Sequence, residues 1–126
     1  MDIVDLNGRP GTRAPHFWGM YKGKEVSILD LFGNHFVLLT GVDNSSWAEA
    51  VYDVSSKLGI NIKVYRVGLS GDFIAQENVF CELYGIENEG VVLIRPDGFI
   101  GWRSEKAVVN PDVMLEEVMS NLLCDF

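Results

Sequence analysis

"HFVLLTGVDNSSWAEAVYDVSSKLGINIKVYRVG", residues 35–68, holds an apolar run, a polar corner, an amphipathic stretch and a second strand-like run. The first run has almost no polar residue, which predicts a strand covered on both faces. Ser46 and Glu49 have the Ser-x-x-Glu spacing of a capping box, so a helix is expected to start there. Trp47, Val51, Val54 and Leu58 fall on one helical face, and Gly59 stands where a left-handed cap belongs. "NIKVYRVG" mixes Ile62, Val64 and Val67 with Lys63 and Arg66, as expected of a strand with one partly wet side. Strand, helix and strand with short links make a βαβ unit, whose crossover is right-handed.

Outward from that unit the chain stays readable. Residues 1–15 carry Gly8, Pro10, Gly11 and Pro15 with little periodicity, and predict an extended lead-in. "YKGKE" places Gly23 between two short strand-like pieces, a hairpin. Val79, Phe80, Leu83 and Tyr84 form the apolar patch of a short helix that Gly85 ends. "GVVLI" is a second fully apolar run, "RPDG" a type I turn with Gly98 at its end, and "FIGWR" the return strand. Asn110, Pro111 and Asp112 open a last helix with Leu115, Val118, Met119 and Leu122 on its buried face. The two apolar runs belong at the centre of a sheet. The mixed runs, 62–67 and 99–102, belong at its edges. In chain order this gives a mixed four-stranded core sheet, 4-3-1-2, with helices on both faces and an N-terminal hairpin extension. That is an α/β, thioredoxin-like fold spanning residues 1–126 as a single domain.

At 126 residues with 48% apolar content, one core suffices. A net charge of −8 and pI near 4.6 argue against nucleic-acid partners, since phosphate would be repelled. No apolar run approaches the ~20 residues of a membrane helix, and "MDIVDLNGRP" has no secretory pattern. Cys81 and Cys124 match no metal or redox spacing, which suits reduced thiols and a cytoplasmic location.

The fold makes the polar corner conspicuous. Thioredoxin-like redox enzymes carry their cysteines after the first core strand, where a helix N-terminus lowers the thiol pKa. Here the corner holds Asn44, Ser45, Ser46 and Trp47, a degenerate redox site. "NEGVV" also lacks the proline such enzymes place before the third core strand. "GRPGTRAPHFW" (8–18), "DLFGNHFVLLTG" (30–41), "YGI" (84–86) and "VVLIRPDGFIGWR" (91–103) resemble the C-terminal domain of FAD-dependent aromatic-ring hydroxylases of the phenol hydroxylase type. The pairing of "RAPH" with "RPDGFIGWR" is its most specific part.

The resemblance implies a thioredoxin-like domain without redox function that packs on a flavin-binding body and often supports a homodimer. The parent enzymes use FAD and NAD(P)H. No Gly-x-Gly-x-x-Gly occurs in this chain, so no cofactor-binding, metal or catalytic residue is assigned to it. The implied partner is a flavin-binding body on the same or a neighbouring polypeptide. Its interface is expected among Arg13, His16, Trp18, Trp102 and Arg103. For each, a bland role competes: His16 as an anchor for the lead-in, the tryptophans as core, the arginines as solvated surface. An independent thioredoxin- or peroxiredoxin-like enzyme and a free-standing interaction module are the alternatives.

Overall fold

A computed structural model describes residues 11–42 and 46–124. In chain order its elements are β1 (Trp18–Tyr21), β2 (Lys24–Ser27), a 3₁₀ turn (Ile28–Leu31), β3 (Phe36–Gly41) and α1 (Ser46–Leu58). Next come β4 (Ile62–Val67), β5 (Phe73–Ile74), α2 (Glu77–Tyr84), β6 (Val91–Ile94), β7 (Ile100–Ser104) and α3 (Pro111–Cys124). One mixed sheet runs β2-β1-β5-β4-β3-β6-β7. The expected sheet of four strands is therefore a sheet of seven. β3 pairs parallel with β4 and antiparallel with β6, and β7 returns antiparallel to β6. Run 62–67, expected at an edge, is interior. The two-residue β5 pairs with it through Val67 and Phe73, and the β1–β2 hairpin extends the sheet from there.

Two apolar clusters lie on the two faces of this sheet. Val37, Leu39, Val92 and Ile94 pack with Phe80 and Tyr84 of α2 and with Ile28 and Leu31 of the 3₁₀ turn. Leu38, Val91 and Leu93 pack with Trp47, Val51 and Val54 of α1 and Leu115 and Met119 of α3. The unbroken apolarity of β3 and β6 follows, since both their faces are dry.

Local chemistry sets the ends. Gly59 is left-handed at φ 69° and its N–H donates to Ser55 O at 2.9 Å, closing α1. Gly85, also at φ 69°, closes α2. α1 is given from Ser46 with Glu49 in its first turn, and residue 45 before it lies outside the described residues. Lys22 and Gly23 both have positive φ, 52° and 82°, the backbone of a tight hairpin turn whose twist matches its strands.

The β6–β7 hairpin carries an irregularity that sequence alternation conceals. Ile94 pairs with Ile100, but Leu93 pairs with Trp102, leaving Gly101 as the extra residue of a bulge. Ile100 faces the α2 side and Trp102 the α1/α3 side, although strict alternation would put both on one face. No described helix is long and apolar enough to cross a membrane.

Candidate functional site

The α1 corner is where the expected thioredoxin-like fold would place a reactive group. Asn44 and Ser45 lie outside the described residues. Ser46 is exposed, while Trp47 is fully buried with its ring centroid 6.0 Å from that of Trp102. A hollow of about 230 Å³ beside the helix start is lined by Ser46, Glu49, Asp53, Pro111 and Asp112. Three carboxylates at this mouth oppose the positive end of the helix dipole and repel a phosphate group. The turn from β3 to α1 also lacks the glycines that let a backbone approach a pyrophosphate. The described residues of this corner do not fit an FAD pyrophosphate, and a serine hydroxyl performs no thiol-disulfide exchange.

The lead-in has the denser arrangement. Gly11 N–H donates to Ile100 O at 2.9 Å, Ile100 N–H to Thr12 O at 2.8 Å and Ala14 N–H to Gly98 O at 3.0 Å. "RAPH" is thereby laid along the "RPDGFI" turn. The Arg13 guanidinium stands 5.1 Å from the Phe99 ring centroid, and Arg95, ion-paired with Asp97, stands 5.8 Å from it. Gly98, left-handed at φ 87°, donates to Arg95 O and completes the turn. Ala14 and Phe17 are buried in the α2-side cluster, so this part of the lead-in belongs to the core.

Tyr84 fastens the segment from below. Its hydroxyl donates to Pro15 O at 2.6 Å, and burial pushes the phenol well above its ordinary range. Arg103 donates to Tyr84 O at 2.7 Å, so β7 holds the C-terminus of α2. His16 Nδ1 lies 2.6 Å from Ser27 Oγ, which also accepts from Leu29 N–H. The His16 ring meets Trp18 edge-on at 4.9 Å.

Of the five expected interface residues, Arg13, His16 and Trp18 share the lead-in and β1. Trp102 packs in the α1/α3-side cluster, and Arg103 is spent on Tyr84. Sequence reasoning missed Tyr84, Phe99 and Ser27 as the groups that fasten this corner. The one available signal was that "YGI" and "RPDGF" stand among the quoted motifs, yet spacing could not bring them together. Cys81 is half-buried, with Sγ 3.6 Å from Asn88 Oδ1.

A family model described as aromatic-ring hydroxylase, C-terminal, matches residues 7–124. The chain is 40% identical over 117 residues to 4-methyl-5-nitrocatechol 5-monooxygenase of Burkholderia sp, covering 93% of this chain and 21% of that protein. It is 42% identical over 101 residues to tetracenomycin A2 monooxygenase-dioxygenase of Streptomyces glaucescens, covering 80% of this chain and 18% of that protein. Among solved structures it superimposes on aklavinone-11 hydroxylase, crystallised as a ternary complex with FAD and aklavinone. The TM-score is 0.86 at 38% identity, over 94% of this chain and 22% of that one. The chain spans about a fifth of the length of these proteins.

Proposed function

The chain belongs to the family of aromatic-ring hydroxylase C-terminal domains, and from that membership we propose that it is a non-catalytic accessory domain of an FAD-dependent aromatic-ring hydroxylase. Its work is packing against a flavin-binding body, carried on the same or a neighbouring polypeptide, in the cytoplasm. A redox-inactive thioredoxin-like core describes the fold: β7-β6-β3-β4 with α1 and α3 on one face and α2 on the other.

The observation that carries this reading is the lead-in corner. Polar side chains of this corner are spent on internal fastening. The Tyr84 hydroxyl holds Pro15, Arg103 holds Tyr84, and His16 holds Ser27. A segment fastened this way transmits position rather than performing chemistry. The carboxylate-lined hollow at the α1 corner points the same way, because FAD would need another domain to receive its pyrophosphate.

The test is enzymatic. The purified chain should reduce no insulin disulfide and consume no peroxide above buffer, and it should retain no flavin after desalting. Peroxide or disulfide turnover that vanishes in Cys81→Ser would instead favour an independent redox enzyme.

A further inference from the structure

We propose that the flavin-binding body docks on one particular strip of this chain, formed by Trp18, Met20 and Ile74 and continuing to Leu29 and the cavity beside Arg13; the inference rests on the function proposed above. Trp18 and Met20 alternate on β1, and Met20 pairs across strands with Ile74 of β5. Their neighbours Phe17 and Phe73 point into the α2-side core, so these three face the other way, where no described helix covers them. They are 61%, 38% and 43% exposed.

Beside the strip, the His16 ring meets Trp18 edge-on and bonds the buried Ser27. From there the Leu29 N–H···Ser27 Oγ bond leads to Leu29, itself 40% exposed. Leu29 lines a cavity of about 260 Å³ with Phe32 on its wall and Arg13 at its rim. Tryptophan, methionine and arginine are the side chains enriched where interfaces are fully desolvated. Apolar side chains this large, set side by side on a sheet face, call for a cover.

Two occupants compete, and the surroundings favour one. A second copy would bring another net charge of −8. It would also need roughly 800 Å² of matched surface on each side, more than a strip four side chains long offers. A body joined through the lead-in needs neither. About four-fifths of each relative lies outside the matched region, and the segment fastened along residues 11–15 leads directly into the Trp18 strand. Tethering of this kind gives an effective concentration on the order of millimolar, at which a modest interface stays closed.

The experiment uses the complete flavin-bearing protein and the variants Trp18→Ser and Ile74→Lys. Both side chains are exposed, so the isolated chain should keep its melting temperature in either variant. In the complete protein each should raise the rate of limited proteolysis across the lead-in by about tenfold or more. Where the body is a separate polypeptide, its Kd for the chain should rise by a similar factor. Flavin present with unchanged proteolysis or Kd in both variants would overturn the strip alone. Absence of flavin from the complete protein would overturn the accessory-domain reading with it. A dimer of the isolated chain that Trp18→Ser dissolves would give the strip to a second copy, which also overturns the proposal.

Discussion

Tyr84 joins three segments with one ring and one hydroxyl. Its ring sits in the α2-side core, its hydroxyl holds Pro15 O and its carbonyl accepts from Arg103. Tyr84→Phe keeps the ring and leaves a buried carbonyl unpaired. It should destabilise the chain by about 1–2 kcal/mol, seen as a lower denaturant midpoint at unchanged slope. An unchanged midpoint would mean that the bond contributes nothing net. His35 gives a pH signature. Burial first, and then the charge of Lys63, lower its pKa below the ordinary 6.5. Below 6.5 the unfolded chain therefore binds a proton that the folded chain refuses. His35 thus contributes stability that is present above pH 6.5 and lost as pH falls toward the depressed folded value. The rise in denaturation midpoint between about pH 5 and 7 should flatten in His35→Gln and in Lys63→Met. A slope unchanged in both would remove His35 from the account. None of these partnerships was legible from residue type alone. The sequence shows a tyrosine before a glycine and says nothing of a proline carbonyl 69 positions away.

At the scale of elements, legibility followed burial. β3 and β6 announce themselves because both faces are dry, and α1 and α3 because their apolar positions recur at helical spacing. The extension of the sheet could not be read. Its link, Phe73–Ile74, is two residues long and carries no period. What makes it a strand is tertiary: Val67 on one side, β1 on the other, and Gly19, where a Cβ would collide with the Phe73 ring. The bulge at Gly101 was hidden for the opposite reason, since "FIGWR" looks regular while Ile100 and Trp102 face opposite ways. Of the expected lead-in, residues 11–15 are described, and their role as a fastener was opaque in the sequence. A chain beginning at His16 loses the three backbone bonds made by Gly11, Thr12 and Ala14, and the acceptor of Tyr84. At about 1 kcal/mol for each backbone bond and 1–2 for the orphaned hydroxyl, the deletion should cost about 4–5 kcal/mol. For a domain of this size that lowers Tm by more than about 10 °C. A truncated chain melting within a few degrees of the intact one would show that the segment merely lies on the surface.

For the molecule as a whole, charge and composition bore on partners rather than on the arrangement of the sheet. The sequence placed the candidate site in two regions, the α1 corner and the lead-in with β7, and the structure separates them by what each side chain touches. Trp47 and Trp102 meet each other inside the α1/α3-side cluster, whereas Trp18, on β1, stays outside it and is 61% exposed. Exposure of that kind depends on how far along the sheet the helices reach, and no local pattern reports it. The central claim is that this chain works as one part of a flavoprotein. The most direct measurement is capture of the natural protein under native conditions with an antibody to this chain, followed by its mass and visible spectrum. The account predicts an assembly several times the chain's 14.1 kDa that carries a flavin absorption band. A colourless species of 14.1 kDa, or a colourless multimer of this chain alone, would contradict it.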